Sequence, residues 1–155
     1  MKLGQGRFDG PRTIVREAGS PVAWVVLVTE ADLDTLPVGV SADLTRNSMS
    51  VLEVVLDHRA PRAAALESVR RAAAALDARS GSLPVLFAGV GRMAPLAAVV
   101  AAEVEAPGLL SIDGSLLSVA WRGPAWSSPT LLLSTPDAGA SSRLALRAGS
   151  LALGR

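Results

Sequence analysis

Residues 83–104 read LPVLFAGVGRMAPLAAVVAAEV, an apolar run followed by a glycine-containing turn and a second, longer apolar stretch. The run at 83–87 is apolar at nearly every position, which is typical of a strand buried on both faces of a parallel sheet. Gly89 and Gly91 mark the turn, and Pro95 suits the first turn of a helix over residues 93–105. This succession of strand, turn and helix predicts an α/β domain.

Four more apolar segments predict the other strands of the sheet, at residues 23–28, 51–56, 108–112 and 130–134. Amphipathic helices are predicted at residues 61–78 and 141–153, because apolar side chains recur there at helical spacing. The segment 32–47 is ambiguous, and only residues 41–46 suit one or two helical turns. Strands and helices alternate along the chain, which favours a mainly parallel sheet with right-handed crossovers.

The chain has the size of one ordinary domain, with 155 residues of which 50% are hydrophobic. We predict that residues 21–155 form a single α/β domain. Residues 1–20 contain several glycines and are expected to form a loose lead-in or one short edge strand around residues 13–15. Nearly all basic residues are arginine, which indicates a bacterial coding bias.

Several function classes are excluded by composition. The chain has no cysteine and one histidine, so thiolate chemistry, disulfides and multi-histidine metal sites are ruled out. No metal or cofactor is predicted. The net charge of +1 gives no reason to expect nucleic acid or an anionic membrane as a partner. The N-terminus lacks a signal-peptide core, and the apolar run at 94–102 is too short to span a bilayer, so a cytoplasmic location is expected.

The segment 83–104 resembles the strand, nucleophile elbow and helix of the α/β-hydrolase superfamily, especially its compact dienelactone-hydrolase-like members. The segments APGLLSIDG (106–114) and SPTLLLSTPDAG (128–139) are similar to the next two strands of that fold. The resemblance covers residues 22–139. It implies a three-layer sandwich with a five-stranded, mainly parallel sheet in the order 2-1-3-4-5, which is also the flavodoxin-like order. It also implies that Asp137 stands where the family places the aspartate that orients the catalytic histidine.

The chain departs from this family at the residues that carry hydrolysis. A hydrolase elbow reads G-x-S-x-G, whereas the nucleophile position here falls on Val90, or on Gly91 if the motif is shifted by one. No histidine follows Asp137. The segment equivalent to the oxyanion loop contains Glu30 and Asp32, whose carboxylates would repel a developing oxyanion. The sequence therefore indicates a degenerate, truncated member, a pseudoenzyme.

The turn after the third predicted strand is one candidate ligand site, formed by Gly89, Val90, Gly91 and Arg92. Its glycines allow a ligand to approach the backbone, the following helix N-terminus favours an anion, and Arg92 suits a phosphate or carboxylate. The turn lacks the third glycine of a dinucleotide fingerprint and the lysine of a P-loop. The alternative interpretation is a tight turn with a structural role alone.

His58 and Asp137 are the candidate catalytic residues, and Glu30 and Asp32 are further candidate ligand-binding groups. His58 follows the second predicted strand and carries the imidazole that acid–base chemistry near neutral pH requires. The carboxylates after the first strand suit Mg²⁺ or Ca²⁺ in principle, although the pattern of a phosphoryl-transfer receiver domain is absent. The alternatives are a surface histidine and a solvated acidic loop.

Two functions remain open at this stage. The first, which we favour, is a non-hydrolytic binding, scaffolding or regulatory domain that takes a small-molecule ligand and forms a homodimer. The second is a small bacterial enzyme, an atypical hydrolase, lyase or cyclase. It would act on a small organic or natural-product substrate and use His58 and the carboxylates.

Overall fold

The computed structural model describes residues 11–31, 36–112 and 129–133. In chain order its elements are β1 (Arg12–Arg16), β2 (Ala23–Glu30), α1 (Leu36–Arg46), β3 (Met49–Leu56), α2 (Arg62–Ser80), β4 (Val85–Val90), α3 (Ala94–Glu103), β5 (Leu109–Ile112) and β6 (Thr130–Leu133). A short 3-10 turn at Gly91–Met93 joins β4 to α3. The predicted helix at 141–153 lies outside the described residues.

The strands form one sheet in the order β1-β3-β2-β4-β5-β6. The five strands from β2 to β6 are parallel and have the predicted order 2-1-3-4-5. The predicted number of five strands is one too few, because β1 adds to β3 in antiparallel orientation. This strand is short and mostly exposed. Its sequence therefore does not need the continuous apolar run that is typical of the central strands. Its pairing covers the edge that β3 would otherwise present to water.

The central strands β2 and β3 are buried on both faces, as expected for parallel strands. All eight residues of β2 are buried, and its side chains alternate between two separate apolar clusters. One cluster contains Val26, Val28 and Phe87 and packs against α2 and α3. The other contains Val25 and Leu27, with residues of α1 packed against it. The result is the three-layer α/β sandwich that the sequence predicts.

The first helix is longer than the sequence indicates, because α1 begins at Leu36 rather than near Ser41. Gly39 lowers the helical propensity of this segment, and Pro37 is compatible only with a first helical turn.

The second helix agrees closely with its predicted range of 61–78. Ala65, Val69 and Leu76 on one face of α2 are buried as predicted. Within the described ranges, we find no helix with the length and hydropathy needed to cross a membrane.

Candidate functional site at the carboxyl edge of the sheet

The carboxyl ends of three adjacent strands bring the candidate residues to one edge of the sheet. Glu30 ends β2 and pairs in register with Leu56 at the end of β3, directly before Asp57 and His58. On its other side, β2 pairs with β4, which leads into the turn at Gly91–Met93. The strand order reverses between β2 and β4, which is the usual location of ligand sites in open α/β sheets.

The turn between β4 and α3 begins with a glycine of positive φ. Gly91 follows the strand directly and has a φ of 56°, in the left-handed region that glycine adopts most readily. Val90 has an extended φ of −109° and is 1% exposed, so it is a core residue of β4. Of the two nucleophile positions considered from the sequence, Gly91 is therefore the one in the left-handed region, and it has no side chain to attack a carbonyl.

Gly89 allows close packing between β4 and α3. A Cβ atom at this position would lie 2.4 Å from the Cα of Ala94, 2.9 Å from its nitrogen and 3.0 Å from the carbonyl oxygen of Met93. These are all backbone atoms of the turn and the first residue of the helix. The helix N-terminus thus occupies the space beside Gly89, which is sufficient to explain a glycine there without a ligand.

Arg92 and Glu30 form an ion pair across this edge of the sheet. The Glu30 side chain is 7% exposed, whereas that of Arg92 is 72% exposed. The guanidinium therefore covers a nearly buried carboxylate and keeps part of its surface toward solvent. The two residues are 62 positions apart in the sequence, and the pair depends on β2 and β4 being neighbours. Sequence reasoning identified both residues as candidates but did not pair them.

Asp57 is held by Arg59 rather than by His58. The Arg59 side chain donates hydrogen bonds of 2.8 and 3.1 Å to the two carboxylate oxygens, and its backbone N–H donates one of 2.9 Å. These bonds lower the pKa of Asp57 from 3.8 to about 2, with the Arg59 side chain as the largest cause. The Nδ1 atom of His58 lies 3.6 Å from the nearer Asp57 oxygen, beyond a good hydrogen bond. The Nδ1 atom of His58 is therefore not bonded to Asp57 in the way that a catalytic histidine is bonded to its aspartate.

We expect the Asp57→Asn substitution to reduce stability in a pH-dependent way. Because folding depresses the pKa of Asp57, its contribution is present above pH 3.8 and is lost as the pH falls toward about 2. Urea unfolding of both proteins should show a difference in unfolding free energy that is constant near neutral pH and shrinks through this acidic range. In an Arg59→Ala background the same comparison should lose most of its pH dependence. A difference that stays constant down to pH 2 would contradict this assignment.

A buried carboxylate that the sequence analysis missed lies on the α1 face of the sheet. Glu53, in the middle of β3, is 4% exposed. It accepts hydrogen bonds of 3.2 Å from the Thr29 hydroxyl and 3.3 Å from the Ser41 hydroxyl. The sequence does show a glutamate inside the apolar run VLEVVL. Because a buried carboxylate needs polar partners, this pattern could have indicated a polar contact within the sheet.

Two of the candidate residues, Asp32 and Asp137, lie outside the described residues. Glu30, Gly91, Arg92 and His58 all lie at the carboxyl edge of the sheet, at the ends of three adjacent strands. Across the described part of the chain, no three histidine, aspartate or glutamate residues are grouped closely enough to hold a metal ion.

Comparison with known proteins shows a likeness in structure at low sequence identity. No family model and no curated protein matches the chain. An α/β serine hydrolase homologue from Coxiella burnetii matches with a TM-score of 0.68 and 10% identity, over 80% of this chain and 67% of the other. A lidless α/β serine hydrolase from Xanthomonas campestris matches with a TM-score of 0.63 and 15% identity, over 89% and 74% of the two chains.

The protein Est1E from Butyrivibrio proteoclasticus is a third similar structure. It has a TM-score of 0.61 and 11% identity, over 90% of this chain and 80% of that one. One of its structures contains ferulic acid. Other matched chains are longer, and this chain spans 42% of one and 58% of another. The resemblance stated from the sequence is thus confirmed at the level of the fold, which is that of the α/β hydrolases.

Proposed function

We propose that this chain is a non-hydrolytic α/β-hydrolase-fold protein that acts as a binding or scaffolding domain. The observation that carries the proposal is Gly91, a glycine with a φ of 56° in the turn between β4 and α3. A hydrolase presents its nucleophile on such a strand-to-helix turn. Acyl transfer by this fold requires a side-chain nucleophile at that position. Glycine retains the backbone of the elbow and removes the reacting group.

The electrostatics of the same edge also disfavour acyl transfer. The tetrahedral intermediate carries a negative charge that a hydrolase stabilises with preorganised N–H donors, one of them from the loop that follows the strand equivalent to β2. Here the N–H of Ala31 donates a 2.9 Å hydrogen bond to the carbonyl oxygen of Leu56. The neighbouring Glu30 adds a carboxylate, which Arg92 offsets. The Ala31 N–H therefore serves the sheet, and the Glu30 carboxylate serves the ion pair with Arg92.

A small organic anion is the ligand class that suits this edge. Arg92 is 72% exposed despite its ion pair, and a guanidinium has five N–H donors, more than one carboxylate can accept. The His58 side chain, 39% exposed, lies at the same edge and becomes a second cation when protonated. We therefore propose a carboxylate or phosphate ligand, bound mainly through Arg92 over the elbow turn.

Hydrolysis of a panel of p-nitrophenyl esters tests the proposal against the enzymatic alternative. We expect the protein to produce no p-nitrophenolate above the buffer rate for acyl chains from acetate to octanoate. The His58→Ala variant should give the same trace as the unmodified protein. Turnover that is proportional to protein concentration and abolished by His58→Ala would overturn the proposal and favour an atypical hydrolase that uses His58.

A further inference from the structure

We propose that a pocket at the opposite edge of the sheet from the elbow binds a small organic cation with an apolar body. This pocket has a volume of about 500 Å³. It lies at the amino ends of the strands, between the C-terminal half of α2, the residues that follow α3 and the start of β4. It shares no lining residue with the elbow site, so it is independent of the function proposed above.

The floor of the pocket is apolar and of a size suited to a small molecule. Ala73 of α2, Val85 and Phe87 of β4, and Ala106 and Pro107 before β5 contribute to its lining. Ligand sites in proteins usually have volumes of roughly 300–1,000 Å³ and mostly apolar walls with a few polar groups. The floor therefore favours a ligand with a hydrocarbon or aromatic body.

The charged groups at the rim leave a surplus of negative charge. Arg70 is held by Glu103 through two hydrogen bonds of 2.8 and 2.7 Å, which raise the pKa of Arg70 and lower that of Glu103. Asp77 and Glu105, which are both exposed, also line the pocket. Among the ion pairs formed by the described residues, none includes either of these two carboxylates. The rim thus presents two acidic residues and one arginine that is paired with both Glu67 and Glu103.

The ends of two helices strengthen this negative potential. Both α2 and α3 end at the amino edge of the sheet, and Ser80, Gly81, Val104 and Glu105 at or just beyond their C-termini line the pocket. The C-terminal end of a helix carries a partial negative charge that favours cations. Two such ends and two carboxylates around an apolar floor favour an ammonium or guanidinium group on an apolar body.

Glu105 occupies a backbone conformation that glycine adopts more easily than glutamate does. The N–H of Glu105 bonds to the carbonyl of Ala102 and that of Ala106 to the carbonyl of Ala101, which is the Schellman pattern of a helix end. The residue of positive φ in this motif is normally glycine, but here it is Glu105 with a φ of 52°. Glu105 therefore keeps a carboxylate at the rim at a cost in stability.

Titration of the full chain with benzylamine and with the neutral benzyl alcohol tests the proposal, with binding followed by calorimetry at low salt. We expect benzylamine to bind several-fold more tightly than benzyl alcohol. Asp77→Asn and Glu105→Gln should each weaken benzylamine binding about threefold, which is the usual scale for a partly exposed ion pair. Asp43→Asn, an exposed residue on α1 at the other face, is the matched control and should leave the binding unchanged.

Glu105→Gly separates the proposed role from a purely structural one. Glycine relieves the left-handed backbone, so this variant should melt a few degrees higher while it binds benzylamine about threefold more weakly. Equal affinity for the amine and the alcohol would overturn the proposal. So would amine binding that neither Asp77→Asn nor Glu105→Gln weakens.

Discussion

The Gly89→Ala substitution is expected to destabilise the protein by about 3 kcal/mol, because the added methyl group meets backbone atoms rather than side chains. The new Cβ would lie 2.4 Å from the Cα of Ala94, so the first turn of α3 would have to move away from β4. Neither element moves easily, since β4 is hydrogen-bonded to strands on both sides and Ala94 and Ala97 of α3 are fully buried.

A second glycine in the chain is the matched control for this prediction. A Cβ atom added at Gly39 in α1 would meet no other atom within 4 Å, so Gly39→Ala should stabilise the protein by up to about 1 kcal/mol through helix propensity. Urea unfolding of both variants measures the two effects. If Gly89→Ala were no more destabilising than Gly39→Ala, the packing explanation for Gly89 would be wrong, and a ligand-binding role for the glycine would regain support.

The Arg92→Ala substitution is expected to cost about 2 kcal/mol, because it leaves the Glu30 carboxylate nearly buried without its cation. The expected loss is below the roughly 3–5 kcal/mol typical of fully buried pairs, since the guanidinium itself is mostly exposed. The double variant Glu30→Gln with Arg92→Ala should recover most of the loss, because the amide removes the unpaired charge. Thermal and urea unfolding of the two single variants and the double variant complete the double-mutant cycle.

An exposed ion pair on α1 is the matched control for this cycle. Arg46 and Asp43 form an ion pair whose side chains are 74% and 68% exposed. Arg46→Ala should therefore change the unfolding free energy by no more than about 0.5 kcal/mol. Equal losses for Arg46→Ala and Arg92→Ala, or a double variant as unstable as Arg92→Ala alone, would show that Arg92 does not stabilise Glu30.

The central part of the fold could be predicted from the sequence because continuous apolar runs form its strands. The segment at residues 83–104 specifies β4, its turn and α3, and the run at 23–28 specifies the fully buried β2. Such runs suit only strands covered on both faces, and that condition implies parallel strands with helices on each side. The order of the five parallel strands then followed from the resemblance to a known fold.

The parts that were missed or left open depend on interactions between distant segments. The sequence left β1 open as a loose lead-in or a short edge strand, because its residues are mostly exposed and only its pairing with β3 defines it as a strand. The ion pair between Glu30 and Arg92 depends on the adjacency of β2 and β4, which local patterns do not encode. Glu53 could have been noticed as a charge in an apolar run, but its hydroxyl partners on β2 and α1 become evident only in the folded sheet.

The sequence predicted where the candidate site lies better than it predicted what each of its residues does. The turn at 89–92 lies at the carboxyl edge as expected, yet Gly89 and Val90 are explained by packing and burial. Choosing between Val90 and Gly91 as the elbow position required a backbone angle, which no sequence pattern supplies. The pairing of Asp57 with Arg59 rather than His58 likewise depended on side-chain geometry.

Formation of an acyl-enzyme is the most direct test of the claim that Gly91 leaves the elbow without a nucleophile. The full chain would be incubated with excess p-nitrophenyl acetate, with p-nitrophenolate release followed by rapid mixing and the intact protein then examined by mass spectrometry. We expect no burst of p-nitrophenolate and an unchanged protein mass. A stoichiometric burst with an acetyl adduct on a serine side chain would contradict the account.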